Sequence, residues 1–239
     1  MKAVIMQPTY LPWMGYFDLM DQSDIFIFLD DVQFEKQSWQ QRNKIKTAQG
    51  ELWLTVPVIR KFPQLINEVE VNNALNWSKK HWKTISQCYR KASCFQNYET
   101  EFAAVYASSW HKLIDLNISI IKIICRLLGI EKRIVCSSDM NVNGKKVSKI
   151  ISLCKEVKAD IYLSPSGAEN YLEEDNQFLS EGIKLEYHNY DVPAYNQLYN
   201  DFKPHLSVLD LLFNEGQRAR EIISKGRGGL TKTARGQKE

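Results

Sequence analysis

The feature that most constrains this fold is the N-terminal segment, where two short apolar runs flank a proline-containing loop and a short helical pattern. The runs cover residues 3–6 and 25–29, and each has the length and composition of a buried strand. Residues 7–13 form the loop, and the helical pattern begins near Gly15. This order predicts an open, mostly parallel α/β sheet, which binds ligands outside the carboxyl ends of its strands.

The loop after the first strand is predicted to line a crevice with the loop that follows the second strand. Pro8 and Pro12 restrict the backbone, which suits a loop that holds aromatic side chains outward. The polar residues at 30–33 emerge at the same edge, so we expect the two loops to face each other. In the alternative interpretation, the aromatic residues only cap the core. The candidate substrate-binding residues here are Gln7, Tyr10, Trp13, Gly15 and Tyr16.

The segment from Asp30 to Lys44 is rich in polar side chains. Adjacent strand residues point to opposite faces, so only one of Asp30 and Asp31 easily enters a shared site; Asp31 is the candidate that orients or deprotonates an amine or hydroxyl. Basic residues could hold a phosphate or carboxylate, and Trp39 offers a ring for stacking. A solvated, salt-bridged loop is the alternative, and a transient Mg²⁺ held by either aspartate stays open. The candidates are Asp31 and Lys36 as catalytic residues, and Gln33, Trp39, Arg42, Asn43 and Lys44 as substrate-binding residues.

The rest of the chain continues the α/β pattern around two insertions. We predict a β-hairpin flap over about 40–72, with a further edge strand at 66–71, and a helical insertion over about 76–130. The helix at 113–127 is expected to end at Gly129. Strands are predicted at 133–136, 160–163 and 183–187, and they are followed by a last helix that is interrupted near Gly216. These elements predict one domain over residues 1–225, followed by a disordered polar tail at 226–239.

Two further candidates lie late in the chain. A small-residue turn with Ser166 and Gly167 follows a predicted strand, and its backbone N–H groups could bind a phosphate or oxyanion. We expect Trp13, Asp31 and Gly167 to converge on one cleft. His205 precedes the last helix and is a candidate acid or base, although a lone histidine is more often structural.

The composition argues against several classes of protein. A net charge of +3, with basic residues spread along the chain, gives little support for nucleic-acid binding. Five scattered cysteines and four scattered histidines predict neither a disulfide framework nor a zinc site, and no motif identifies a cofactor. The most apolar helix is short and interrupted by charges, so we expect a core helix and no membrane insertion. No secretory signal is recognisable, which favours the cytoplasm.

Several blocks of this sequence are similar to the WbqC-like family of bacterial proteins. They are Gln7-Pro-Thr-Tyr-Leu-Pro-Trp-Met-Gly-Tyr-Phe, residues 30–34 with 39–44, the turn at 165–167 leading to Tyr171, Tyr195-Asn-Gln197, and residues 206–212. The resemblance covers nearly the whole chain to about Ser224 and adds Tyr171, Tyr195 and Gln197 as substrate-binding candidates. Members are associated with gene clusters for lipopolysaccharide O-antigen, which implies the modification of an activated amino sugar.

The strand, loop, helix and strand order also resembles the nucleotidylyltransferase and pantothenate-synthetase superfamily, which is Rossmann-like. That superfamily binds nucleotide phosphates with a His-x-Gly-His motif. Here Trp13 and Tyr16 stand in place of the two histidines around Gly15. Neither side chain carries positive charge, so adenylyl transfer would require Lys36, Arg42 or Lys44 to supply it.

The sequence therefore predicts an enzyme, a transferase or ligase that acts on a nucleotide-linked sugar. The family resemblance implies acyl or aminoacyl transfer to an amino sugar in surface-polysaccharide biosynthesis. The competing hypothesis is a non-catalytic module that binds a sugar nucleotide or a partner enzyme of the same pathway.

Overall fold

A computed structural model describes residues 1–59, 61, 63–165, 172–199 and 201–228. Nine strands run through this part of the chain. They are β1 (Lys2–Met6), β2 (Ile25–Phe28), β3 (Arg42–Thr47), β4 (Gly50–Thr55), β5 (Val58–Ile59), β6 (Glu70–Val71), β7 (Arg133–Cys136), β8 (Ile161–Ser164) and β9 (Lys184–Tyr187). The helices are α1 (Met14–Gln22), α2 (Trp77–Tyr89), α3 (Phe95–Ala107), α4 (Leu113–Leu128), α5 (Val147–Glu156), α6 (Leu172–Ser180), α7 (Val208–Glu215) and α8 (Ala219–Lys225).

The centre of the molecule is a five-stranded parallel sheet in the order β7-β2-β1-β8-β9. The central strands β1 and β2 are buried on both faces, which explains why they read as continuous apolar runs. Ala3 and Ile5 belong to an apolar cluster with residues of α5, whereas Val4 joins the larger cluster that contains α1 and α4. The strand order changes direction between β1 and β8, which is the switch point where such sheets form a ligand crevice. The predicted Rossmann-like α/β class is confirmed.

The β-hairpin flap is present as β3 and β4, which pair antiparallel with Lys44 opposite Trp53. The prediction of a further edge strand at 66–71 is wrong for the first half of that segment. Residues Ile66–Glu68 form a short 3₁₀ helix, because the Glu68 carboxylate accepts the N–H of Leu65 at 2.9 Å and closes a turn. Only β6 pairs, and it joins β5 in a separate two-stranded sheet.

Helices α2, α3 and α4 form the predicted helical insertion. α4 ends where the sequence predicts, since Gly129 adopts a left-handed φ of 65° and the N–H of Ile130 reaches back to the carbonyl of Cys125 at 2.8 Å. None of the helices in the described ranges is long and apolar enough to cross a membrane.

The C-terminal helices pack against α1 and α3. The break predicted near Gly216 lies between α7 and α8, where this glycine has a φ of 57°. Beyond α8, the Arg227 guanidinium forms ion pairs with Asp18 and Asp21 of α1. Residues 226–228, at the start of the predicted tail, therefore make tertiary contacts, and residues 229–239 lie outside the described part of the chain.

Candidate functional site

A cavity of about 250 Å³ opens beside the carboxyl end of β1. Its walls come from three segments that are distant in sequence: the end of β1 with the first loop and the start of α1, the start of the hairpin with the residues before it, and the segment before α7. The lining residues are Met6, Thr9, Pro12, Trp13, Tyr16, Trp39, Asn43 and His205. The structure thus brings together five of the candidate residues predicted from the sequence: Trp13, Tyr16, Trp39, Asn43 and His205.

Trp13 forms one wall of this cavity, and its position depends on Gly15. A Cβ atom built on Gly15 would lie 2.4 Å from the Trp13 ring, so only glycine lets the indole lie against the helix backbone. The other contacts of the indole are an edge contact with Tyr190 at 5.6 Å and a tilted contact with His205 at 5.3 Å, measured between ring centroids. Trp13 is therefore held rigidly, and the exposed His205 imidazole lies against it.

The loop between β1 and α1 contains a strained residue. Leu11 has a φ of 48° and is fully buried, a conformation that is unusual for a bulky side chain. Asn43 on β3 donates its amide N–H to the Leu11 carbonyl at 2.6 Å. This bond fixes both Asn43 and the loop, so the shape of the cavity depends on the hairpin.

Asn117 joins the two loops that form the cavity, although it lies on the core helix α4. Its amide nitrogen donates to the carbonyls of Pro8 at 3.1 Å and Gln40 at 2.8 Å. Nearby, the N–H of Tyr10 donates to the carbonyl of Trp39 at 3.0 Å. Asn117 is not among the candidate residues predicted from the sequence. A polar residue four positions after Leu113, on the apolar face of a core helix, was the available signal.

Gln7 and Tyr10 do not line this cavity. The Gln7 side chain accepts a hydrogen bond from the Gln40 amide at 2.8 Å, which is a third link between the two loops. Tyr10 is fully buried, and its hydroxyl lies 2.9 Å from Nδ1 of His81 and 2.6 Å from the Tyr106 hydroxyl. Burial lowers the pKa of His81 to about 4, so the imidazole is neutral at pH 7. Tyr10 therefore faces the core, as in the core-capping alternative.

Asp31 lies beside a different cavity. That cavity, of about 470 Å³, includes Lys149 in its lining, and its apolar residues belong mainly to the α5 and α6 side of the sheet. Asp31 accepts hydrogen bonds from the Lys149 ammonium and the Ser137 hydroxyl. Partial burial alone would raise the pKa of Asp31, but these two hydrogen bonds outweigh it and lower the pKa. The carboxylate is thus held ionised, which makes it a weak proton acceptor.

The Asp30 carboxylate is held by hydrogen bonds within the protein. It is buried and accepts hydrogen bonds from the Ser138 N–H at 2.9 Å and the Ser138 hydroxyl at 2.6 Å, and the oxygen of Ser137, whose hydroxyl donates to Asp31, lies 3.0 Å from its Oδ1. These bonds tie the end of β2 to the turn after β7. Within the described ranges, no group of histidine, cysteine, aspartate and glutamate side chains has the arrangement of a metal site.

Tyr195 and Gln197 belong to a buried polar network around Asp210 on α7. The Tyr195 hydroxyl donates to Asp210 at 2.9 Å, and the Gln197 amide donates to the Tyr195 oxygen at 3.0 Å. The ammonium of Lys46 donates to Gln197 at 3.0 Å. Burial raises the pKa of Asp210 and lowers that of Lys46. This network anchors β3 to the segment before α7, and neither Tyr195 nor Gln197 lines the cavity beside β1.

The remaining candidates lie on the hairpin rim, on the surface or outside the described residues. Arg42 and Lys44 contact the Trp53 ring, with the Arg42 guanidinium carbon 4.3 Å from its centroid. Gln33 and Lys36 are exposed. Ser166, Gly167 and Tyr171 lie outside the described residues, so the expected convergence of Gly167 with Trp13 stays a prediction.

An open parallel sheet with a small, aromatic-lined cavity at its carboxyl edge defines a Rossmann-like α/β protein. Residues 7–222 match the WbqC-like protein family, and the chain belongs to that family. It is also 37% identical over 226 residues to "Uncharacterized protein Rv1507c" of Mycobacterium tuberculosis (strain ATCC 25618 / H37Rv), an alignment that covers 93% of this chain and 97% of the relative.

Proposed function

We propose that this protein is a cytoplasmic transferase of bacterial surface-polysaccharide biosynthesis, which attaches an acyl or aminoacyl group to a nucleotide-linked amino sugar. One observation carries the proposal: residues from three distant segments, selected by sequence, line one cavity. The volume of about 250 Å³ is below the range of about 300–1,000 Å³ that drug-sized ligands occupy. The cavity therefore suits a single sugar ring, with the rest of the ligand outside.

The chemistry of the walls supports a sugar ring as the occupant. The flat faces of Trp13 and Trp39 can pack against the C–H groups of a ring, while Thr9 and the hydroxyl of Tyr16 offer polar contacts at their edges. The Tyr16 hydroxyl already donates to the carbonyl of Gln7 at 3.2 Å, so its oxygen keeps acceptor capacity.

In this mechanism His205 is the general base. Its exposed imidazole lies at the wall formed by Trp13, where it would accept the proton that the sugar amine loses on attacking the acyl carbonyl. The new bond is C–N, the bond to the donor's leaving group breaks, and the leaving group takes up a proton. Asp31 is ion-paired with Lys149 beside the second cavity and Lys36 is exposed, so their catalytic roles stay predictions outside this mechanism.

The experiment is a mass-spectrometric assay of purified protein with uridine- and thymidine-diphosphate amino sugars and a panel of acyl and aminoacyl donors. We expect one pair to give a product of higher mass. His205→Asn should lower kcat by about 100-fold or more, whereas His111→Asn, also on the surface, should have no effect. Equal kcat values for the two variants would remove His205 from the mechanism.

A binding module is the second candidate. It is favoured by the replacement of the two motif histidines by Trp13 and Tyr16 around Gly15, which leaves no cation at that position to assist phosphoryl chemistry. A binding module would be stabilised against heat by the sugar nucleotide without turnover. Detection of any acylated product would reject this candidate.

A further inference from the structure

Two exposed tryptophans lie side by side at the rim of the cavity. Trp39 is 50% exposed and Trp53 is 39% exposed. Their ring centroids are 5.3 Å apart, with an angle of 39° between the ring planes. Trp39 also lines the cavity, so the pair extends the aromatic wall outward onto the hairpin. Large aromatic rings in contact with solvent and with each other are typical of a binding surface.

Arg42 lies against the same pair with unused hydrogen-bonding capacity. Its guanidinium carbon is 4.3 Å from the centroid of Trp53. Its Nε atom is buried and has no hydrogen-bond partner, and Arg42 forms no ion pair with any residue in the described ranges. Lys44 differs, because its ammonium is paired with Glu51 at 2.5 Å. A guanidinium that is stacked on a ring and free of acidic partners is suited to bidentate binding of a phosphate.

We propose that Trp39, Trp53 and Arg42 bind the nucleoside diphosphate half of the substrate. The nucleobase stacks on the exposed indoles, and Arg42 binds the diphosphate between the base and the sugar cavity. The inference rests on the proposed function only for the direction in which the sugar points. Trp53, a residue of β4 in the hairpin, thus becomes part of the nucleotide-binding surface.

The chemistry of this surface favours a nucleotide. A free sugar would occupy only the cavity, whose lining does not include Trp53, and it carries no anion for Arg42. Aromatic stacking tolerates any nucleobase, so we expect uridine and thymidine diphosphates to bind with similar affinity. The diphosphate, in contrast, requires the fork of donors on the guanidinium.

The test is isothermal titration calorimetry of the full chain with three ligands used separately: uridine diphosphate, inorganic pyrophosphate and glucosamine. Trp53→Ala should weaken uridine diphosphate binding by about 10- to 100-fold and leave pyrophosphate binding unchanged. Arg42→Gln should weaken both, and Arg42→Lys should restore only part of the affinity.

The matched control is Leu52→Ala, because Leu52 is the neighbour of Trp53 on β4 and is 40% exposed. Trp53→Phe keeps an aromatic ring and should retain most of the affinity, which separates loss of stacking from loss of the fold. Equal affinities of the Trp53→Ala and Leu52→Ala proteins for uridine diphosphate would overturn the inference.

The outcomes for the two proposals are distinct. If glucosamine binds and acyl transfer occurs but uridine diphosphate does not bind, this inference fails and the proposed function stands. If uridine diphosphate binds in a Trp53-dependent way and no acyl product forms with any donor, the inference stands and the transferase activity fails.

Discussion

Replacement of Asn117 by leucine is the sharpest test of how the cavity is built. Asn117 is fully buried on α4, and its amide nitrogen donates to the carbonyls of Pro8 and Gln40. Leucine has a similar size but no donor. Both carbonyls would lose a partner inside the protein, and the loops on either side of the cavity would lose their shared anchor.

The magnitude can be worked out from these contacts. A buried acceptor that loses its hydrogen bond lowers the free energy of unfolding by about 1–3 kcal/mol. Taking about 1.5 kcal/mol for each of the two carbonyls, from the lower half of that range, gives a loss of about 3 kcal/mol. The Oδ1 atom of Asn117 is itself buried and has no hydrogen-bond partner within the described part of the chain, and its removal returns about 1 kcal/mol. We therefore expect Asn117→Leu to lower the free energy of unfolding by about 2 kcal/mol, or about 4–8 °C in Tm.

Urea denaturation followed by far-UV circular dichroism measures this free energy, and scanning fluorimetry gives the change in Tm. Asn97→Leu is the control, because Asn97 is an exposed asparagine on α3 and its replacement should change stability by less than about 0.5 kcal/mol. The affinity of the Asn117→Leu protein for amino-sugar nucleotides should also fall, since its loops are no longer held together.

Two results would refute this reasoning. If the two leucine variants are equally stable, the hydrogen bonds of Asn117 contribute nothing to the fold. If Asn117→Leu is destabilised but binds its ligand normally, the cavity does not depend on the connection between the two loops.

Two further predictions concern the aromatic residues around the site. Gly15→Ala should lower the free energy of unfolding by about 1–3 kcal/mol, measured by urea denaturation, because the new methyl group overlaps the Trp13 ring; a gain of about 1 kcal/mol, as at an open helical position, would contradict this contact. Burial lowers the pKa of His81 to about 4, so the folded protein holds the neutral imidazole. The free energy of unfolding should therefore be at its full value above about pH 6.5 and fall by about 3 kcal/mol as the pH drops to about 4. His81→Leu should remove that part of the slope in urea midpoints between pH 7 and 4, and parallel curves for the two proteins would exclude it.

The sheet could be predicted from sequence because its information is local. The apolar runs that become the central strands β1 and β2 are each bounded by polar or turn residues, and burial on both faces is what makes them continuous. The end of α4 could be predicted in the same way, because Gly129 supplies the left-handed conformation that the C-terminal cap requires.

The assignments that differ depend on partners distant in sequence. Lys149 lies 118 positions from Asp31, and no pattern near either residue indicates that they pair. Tyr10 illustrates a second limit. An aromatic residue in a loop can either pack in the core or line a cavity, and the local sequence does not distinguish the two. Tyr10 is buried because its hydroxyl contacts His81 and Tyr106. Arg42 could be selected as a cation, but the absence of an acidic partner for it among the residues that the structure describes is a property of the folded hairpin.

The position of β1 in the middle of the sheet has a consequence for synthesis on the ribosome. On one side β1 pairs with β2, which follows it closely in the chain, but on the other side Lys2 and Ala3 pair with Ile161 and Tyr162. The second edge of this apolar strand therefore stays uncovered while the hairpin and all three inserted helices are translated. Exposed strand edges can pair with other chains, so this edge of β1 is open to mispairing until β8 emerges.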